Sequence, residues 1–233
     1  MNGILGDREI LLRVNGLDSP WSTSDLAAAA RLDVDGILIP KVRGPRDILA
    51  ASNALSGAPD TVRLWAMVET CEALVRLPAI ARTARLTRLG GLVLGTNDLG
   101  RELGIRTTGD RAPLLHALAA MVSAARAYGL AALDGVCNRL DDANSLLLEC
   151  EQGRAFGFDG KTLIHPNQIV ICNDVYSPRN EDVSWAKSVL DAFAQPQNAG
   201  KGAIRVGNEM IELLHLEQAR RVIAVAEEIR RRR

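Results

Sequence analysis

Two carboxylates follow two successive apolar segments at matching places. The run Leu64–Val68 is followed directly by Glu69, and the run Leu92–Gly95 is followed by Asn97 and Asp98. Turn chemistry is one explanation, because short polar side chains bond their own backbone and start the next segment. The alternative is a functional site, since carboxylates from neighbouring segments can bind a cation or exchange protons.

The same pattern extends along the chain to six apolar segments. Each one ends in, or is closely followed by, a charged or titratable side chain, which turn chemistry alone explains poorly. In barrels of parallel strands the active site is built at the carboxyl ends of the strands. The residues at this position are Arg13, Lys41, Glu69, Asp98, Asp134 and His165.

Apolar segments alternate with helix-like segments, which predicts an α/β fold with a parallel sheet and right-handed crossovers. Asp141 is among the residues expected to cap these helices at their first turn. The strand-like segments span residues 9–16, 34–42, 63–70, 90–98, 130–137 and 158–165, and the helix-like segments span 23–32, 45–55, 71–85, 110–128 and 140–155.

The number of strands fits an open sheet or an incomplete barrel, because a closed barrel of this kind has about eight parallel strands. The polar residues at the strand ends favour the barrel. We therefore expect a TIM (β/α)8-type barrel that is N-terminally incomplete, with about six of the eight strands in this chain and a C-terminal helical extension. The expected domains are the truncated barrel at residues 1–194 and a linker with a C-terminal helix or lid at residues 195–233.

Composition excludes several classes of function. Lys and Arg total 28 and Asp and Glu total 28, so no global field favours nucleic acid or an anionic membrane. The four cysteines form no C-x-x-C pair, which argues for reduced thiols and against a zinc site. A signal peptide or a long apolar segment is not apparent, so we expect a cytoplasmic protein.

A series of short motifs resembles one known family in both content and order. The chain is similar to the citrate lyase beta-subunit-like family of the HpcH/HpaI aldolase/citrate lyase superfamily, which includes malyl-CoA, citramalyl-CoA and citryl-CoA lyases. The resemblance covers residues 9–229, while the "F-V-P-G" and "D-L-E-D" stretches of the family's first two strands are missing. The motifs are "LLRVNGLDSPW", "GILIPKV", "MVET", "GTNDL", "LDGV", "GFDGKTLIHPNQI", "VYSPRNEDVSWAKSVL" and "MIELLHLEQARRVIAVAEEI".

The resemblance implies a set of site residues. Glu69 and Asp98 match the family's ligands for Mg²⁺, with Mn²⁺ as a possible substitute, and Glu69 also lies where substrate binds. Arg13 matches a substrate-contacting arginine and is assigned to both binding and catalysis. Glu212 stands where many members have an aspartate that acts as acid or base from a neighbouring subunit.

Two more residues are assigned to substrate binding with structural roles left open. Lys41 either contacts substrate or pairs with a carboxylate such as Glu69, and Asp134 is expected to orient groups of the site. His165 is expected to stabilise the last strand and its loop rather than to act in catalysis.

The function implied by the resemblance is that of a Mg²⁺-dependent carbon–carbon lyase. It would cleave or form a 3-hydroxyacyl-CoA such as malyl-CoA, citramalyl-CoA or citryl-CoA, giving a 2-oxo acid and an acyl-CoA. The expected assembly is a homotrimer or homohexamer, with no nucleic-acid or membrane partner. Three alternatives stay open: a malyl-CoA-type thioesterase, an aldolase acting on free 2-oxo acids, and a non-catalytic truncated barrel.

Overall fold

The structure is a computed structural model that describes residues 8–106 and 110–232. By their internal contacts the residues divide into two compact units, Met1–Cys172 and Asn173–Arg233. Packing units need not coincide with domains, so the predicted domain boundary after residue 194 stays a prediction.

The first unit contains a sheet of six parallel strands whose order in space is their order in the chain. Helices connect the strands, and this arrangement confirms the predicted α/β class. In the described residues, β1 and β6 are the two edges. The strands are β1 (Leu11–Arg13), β2 (Gly36–Ile39), β3 (Arg63–Val68), β4 (Leu89–Leu94), β5 (Ala131–Asp134) and β6 (Gly160–Lys161).

The helices of the first unit follow the strands in turn, and the last of them crosses the boundary between the units. They are α1 (Ser22–Ala29), α2 (Pro45–Ala54), α3 (Cys71–Val75), α4 (Leu77–Arg82), α5 (Thr96–Leu103), α6 (Leu115–Ala127), α7 (Ala143–Phe156) and α8 (Gln168–Tyr176).

The centre of the sheet is packed around Trp65 of β3. A Cβ atom at Gly91 of β4 would lie 2.3 Å from two carbons of the indole ring, and one at Gly36 of β2 would lie 3.0 Å from a third. The indole therefore occupies space that the two neighbouring strands leave free. Because interiors are close-packed, a side chain at either position would force the indole ring or the neighbouring strand to shift.

Local chemistry explains two differences between the expected and the observed helices. The segment predicted as one helix over residues 71–85 forms two, α3 and α4, with Pro78 near the start of the second. The prediction that Asp141 caps the helix after β5 is wrong. The cap is Asp142, whose carboxylate accepts the Ser145 N–H at 2.9 Å.

The second unit pairs a hairpin with two helices. Its strands are β7 (Ala203–Val206) and β8 (Glu209–Glu212), and its helices are α9 (Asn180–Ala194) and α10 (Leu213–Arg231). The sequence analysis did not predict the hairpin. Gly207 takes a left-handed backbone (φ 61°) at its turn, as tight hairpin turns require. The core of this unit is formed by Ala186, Val189, Ile204, Ile211 and Ala219.

Within the described residues, no helix has both the length and the apolar character needed to cross a membrane.

Candidate active site

Glu69 is the first residue after β3, and its side chain is buried at the carboxyl end of the sheet, with 6% exposure. Its Oε1 accepts the Lys41 N–H at 2.7 Å. Its Oε2 faces Gly95, where an added Cβ would lie 2.8 Å from that oxygen. The backbone N–H of Lys41 therefore fixes one carboxylate oxygen, and Gly95 leaves space for the other.

Asp98 lies in the first turn of α5, just after β4, and its side chain is about one-third exposed (36%). Burial raises the pKa of the Glu69 carboxyl, and the hydrogen bond from the Lys41 N–H lowers that pKa. The charge of Asp98 and a side-chain hydrogen bond with Asp98 both raise the pKa of Glu69. Both carboxyl groups line the same two cavities. Asp98 also pairs with Arg101, whereas Glu69 has no lysine or arginine within ion-pair distance in the described part of the chain.

This pair of carboxylates fits a hard divalent cation. A cation would relieve the repulsion between them, and carboxylate oxygens are the ligands that Mg²⁺ prefers. Among the described residues no group of three or more acidic, histidine or cysteine side chains forms a complete metal cage. Two protein ligands would leave coordination positions for water and substrate, which is usual for Mg²⁺.

Arg13 is the last residue of β1, and its side chain is exposed. Together with Glu69 and Asp98 it lines two cavities of about 470 and 430 Å³. We call the first the polar cavity; its other lining residues include Asn15, Asp18, Ser19, Asp25 and Lys41. We call the second the apolar cavity; its other lining residues include Leu38, Met67, Leu94, Val136, Leu163 and Ile164.

The three predicted residues therefore stand where a polar and an apolar space meet. Such a site can hold charged groups of a ligand on one side and an aliphatic part on the other. Of these two cavities, Lys41, whose side chain is exposed, lines the polar one and not the apolar one.

Sequence reasoning missed two features of these cavities. In the polar cavity, Asp25 accepts both the backbone N–H of Asn15 at 3.1 Å and its side-chain amide at 2.8 Å, which fixes the asparagine. In the apolar cavity, the amides of Asn97 and Asn138 bond each other at 2.6 and 3.1 Å. An amide two residues after a strand end, as in "RVN", is the signal that identifies Asn15.

Asp134, predicted to bind substrate, lines neither cavity. Its side chain is fully buried and pairs with Arg111 at 2.8 Å and Lys161 at 3.1 Å. Lys161 also pairs with Glu149 at 2.8 Å. We call Arg111, Asp134, Glu149 and Lys161 the buried ion cluster. The substrate-binding assignment of Asp134 stays a prediction, while its observed contacts are structural.

The two remaining predicted residues are described by their local contacts. Glu212 ends β8 in the second unit; its side chain is exposed and its N–H donates to His215 Nδ1 at 3.0 Å. Its predicted role in a neighbouring subunit's site stays a prediction. His165 accepts the Asn167 N–H at 3.2 Å and does not line either cavity.

Comparison with known proteins identifies the family. The family model described as HpcH/HpaI aldolase/citrate lyase matches residues 5–166. The chain belongs to the HpcH/HpaI aldolase/citrate lyase family. This membership confirms the predicted resemblance and the predicted class of enzyme, a lyase.

Two curated relatives of this HpcH/HpaI family chain have related activities in their names. The (3S)-malyl-CoA thioesterase of Cereibacter sphaeroides is 43% identical over 224 residues, covering 96% of this chain and 76% of the relative. The mitochondrial citramalyl-CoA lyase of Mus musculus is 30% identical over 240 residues, covering 97% and 71%.

Solved structures agree with this assignment. The protein CitE of Mycobacterium tuberculosis, in complex with magnesium, acetoacetate and coenzyme A, superposes with a TM-score of 0.71 at 26% identity, covering 93% of this chain and 78% of that one. A citrate lyase from Burkholderia xenovorans LB400 has a TM-score of 0.77 at 23% identity, covering 93% and 72%, and supports the fold. Magnesium, which the sequence analysis predicts as the cofactor of this chain, is present in the Mycobacterium structure.

Proposed function

We propose that this protein is a Mg²⁺-dependent carbon–carbon lyase acting on a 3-hydroxyacyl-CoA such as malyl-CoA, citramalyl-CoA or citryl-CoA. The products would be a 2-oxo acid and an acyl-CoA. The observation that carries the proposal is the juxtaposition of Glu69 and Asp98 beside Arg13 at the junction of the polar and apolar cavities. The Mycobacterium relative with magnesium and coenzyme A supports the choice of ligands.

Glu69 and Asp98 would hold the magnesium ion. When bound, the ion supplies Lewis-acid polarisation of the substrate's hydroxyl and carboxylate oxygens. The protein's share is to fix the two carboxylates at the ends of neighbouring strands, so that the acyl chain binds in one orientation.

Arg13 would bind the developing negative charge of the thioester enolate, or a substrate carboxylate. Its guanidinium is charged at any working pH and offers a planar pair of donors. At the end of β1 it faces the cavity that also contains the two carboxylates. Electrostatic stabilisation of this kind often makes the largest single contribution to catalysis.

Proton exchange at the enolate carbon needs a further group. We assign it to Glu212 of a neighbouring subunit, in line with the family resemblance, and this requires a homo-oligomer, a homotrimer or a homohexamer. We also propose that the six-stranded sheet corresponds to about six strands of a (β/α)8-type barrel, N-terminally incomplete in this chain, because active-site residues of such barrels lie at the carboxyl ends of strands. The cytoplasm is the compartment we propose.

A second candidate is hydrolysis of the thioester in the same site. It is favoured by the 43% identity to a relative named (3S)-malyl-CoA thioesterase. Both reactions use a polarised acyl chain beside Arg13, so the residues of the cavity do not separate them.

Product analysis separates the two candidates. Malyl-CoA, citramalyl-CoA and citryl-CoA are each incubated with the protein and Mg²⁺, and the products are identified by mass spectrometry. The lyase yields a 2-oxo acid and a shorter acyl-CoA, whereas the thioesterase yields free CoA and the intact hydroxy acid. The matched control is Glu69→Gln, which keeps the shape of the side chain and should be inactive. Free CoA without an oxo acid would reject the lyase, and no turnover with any substrate would reject both candidates.

A further inference from the structure

Two residues of the neighbouring connections border the Glu69 carboxylate. Lys41, in the connection after β2, donates its backbone N–H to Oε1 at 2.7 Å. Gly95, directly after β4, leaves room for the other side of the group, since an added Cβ would lie 2.4 Å from Glu69 Cβ and 2.8 Å from Oε2. The connection after β2 thus fixes the carboxylate by a hydrogen bond, and the glycine after β4 leaves the space that the carboxylate occupies.

The backbone of Lys41 is unusual in a way that accompanies this hydrogen bond. Its φ is 52°, and Lys41 and Arg111 are the non-glycine residues with a left-handed backbone in the part of the chain that the structure describes. A side chain makes this conformation unfavourable, and such residues concentrate at functional sites. With the N–H fixed on Glu69, the positive φ turns the chain from β2 towards α2.

Gly95 is required for space and not for backbone freedom. Its φ is −96°, a value that any residue adopts, and its own N–H donates to Val68 O at 2.9 Å. A methyl group here would meet Glu69 well inside contact distance. An alanine would therefore move the carboxylate or the backbone that supports it.

We propose that Gly95 and the main chain of Lys41 are positioning elements that orient the Glu69 carboxylate for cation binding. This inference rests on the metal site of the proposed function. Lys41 acts on the metal site through its backbone N–H, which orients Glu69. Its side chain lines the polar cavity. Partners that orient a metal ligand typically change metal affinity by about 10–100-fold when they are removed.

Mn²⁺ serves as the probe, with binding measured by calorimetry and the bound ion observed by electron paramagnetic resonance. Gly95→Ala should weaken binding by about tenfold or more and broaden the spectrum of the bound ion. An ester at residue 41, made by incorporating an α-hydroxy acid so that oxygen replaces the N–H, should weaken binding to a similar degree. Lys41→Met keeps the N–H and should bind Mn²⁺ within about threefold of the unaltered protein.

Gly57→Ala is the matched control, because a Cβ at that position meets no atom within 4 Å. Its affinity and melting temperature should not change. If Gly95→Ala fails to fold by circular dichroism, the comparison of the ester with Lys41→Met decides the proposal.

Two failures are distinguishable. If the unaltered protein and Glu69→Gln bind Mn²⁺ equally, the metal site itself is wrong and the proposed function falls. If Glu69→Gln loses Mn²⁺ while the ester variant and a folded Gly95→Ala bind it normally, the metal site stands and the positioning proposal is overturned. A tenfold loss in Lys41→Met would likewise overturn the assignment to the main chain.

Discussion

Replacing Asp134 by Asn should destabilise the protein strongly, even though the change conserves shape. Asp134 is fully buried, with Arg111 Nη1 at 2.8 Å and Lys161 Nζ at 3.1 Å. The buried ion cluster holds two cations and two anions, so the substitution leaves it with one excess positive charge. Leaving a buried charge without its partner typically costs about 3–5 kcal/mol.

For a chain of this size, each kcal/mol shifts the melting temperature by about 2–4 °C, so Asp134→Asn should lower it by about 6–20 °C. Thermal and urea unfolding, followed by circular dichroism, measure the change. The double variant Asp134→Asn with Lys161→Met restores the charge balance and should recover part of the loss, which a double-mutant cycle quantifies.

The same variant tests the role of Asp134. If Asp134 is structural, Asp134→Asn lowers the stability and leaves the substrate affinity of the folded protein nearly unchanged. If Asp134 binds substrate, the variant loses substrate affinity and keeps its stability. A loss of stability below about 1 kcal/mol would refute the reasoning, because it would mean that the cluster tolerates an unpaired buried cation.

Other perturbations test the metal site, the packing and a helix cap. Glu69→Ala and Asp98→Ala should each weaken Mg²⁺ binding by about tenfold or more in calorimetry, and unchanged affinity in both would reject the ligand assignment. Gly91→Ala should cost about 1–3 kcal/mol in urea unfolding, because its methyl group would overlap the indole ring beside it, and a neutral result would contradict the packing described for β3 and β4. Asp142→Ala should lower the melting temperature at neutral pH while Asp141→Ala should not. Hydrogen bonds from Ser145 lower the pKa of Asp142 below its ordinary 3.8. The difference in melting temperature between the two variants should therefore persist above pH 3.8 and vanish as the pH falls through the lowered pKa of Asp142. A difference that is constant down to about pH 2 would contradict the cap.

Much of the first unit could be predicted because its signals are local. Each of the six strand-like segments overlaps an observed strand, since buried parallel strands are apolar on both faces and end at polar residues. The meeting of Arg13, Glu69 and Asp98 followed from one rule, that parallel strands present their carboxyl ends on the same side.

What could not be predicted depends on contacts between distant residues. Asp134 ends a strand just as Arg13 does, yet it is buried in ion pairs. Its partner Arg111 comes from a loop 23 residues earlier, and no local pattern marks that arginine as buried. The hairpin of β7 and β8 was missed although the two-residue turn at Gly207 and the alternation around it were visible, because residues 195–233 were assigned to a linker and a C-terminal helix or lid.

The agreement between strand order and chain order has a consequence for how this unit is made. Within the described sheet, each strand after β1 pairs with the one synthesised before it. A nascent chain can therefore extend the sheet one strand at a time while translation continues. The pairing of β1 to β6 can be complete before the residues from Asn173 onward leave the ribosome.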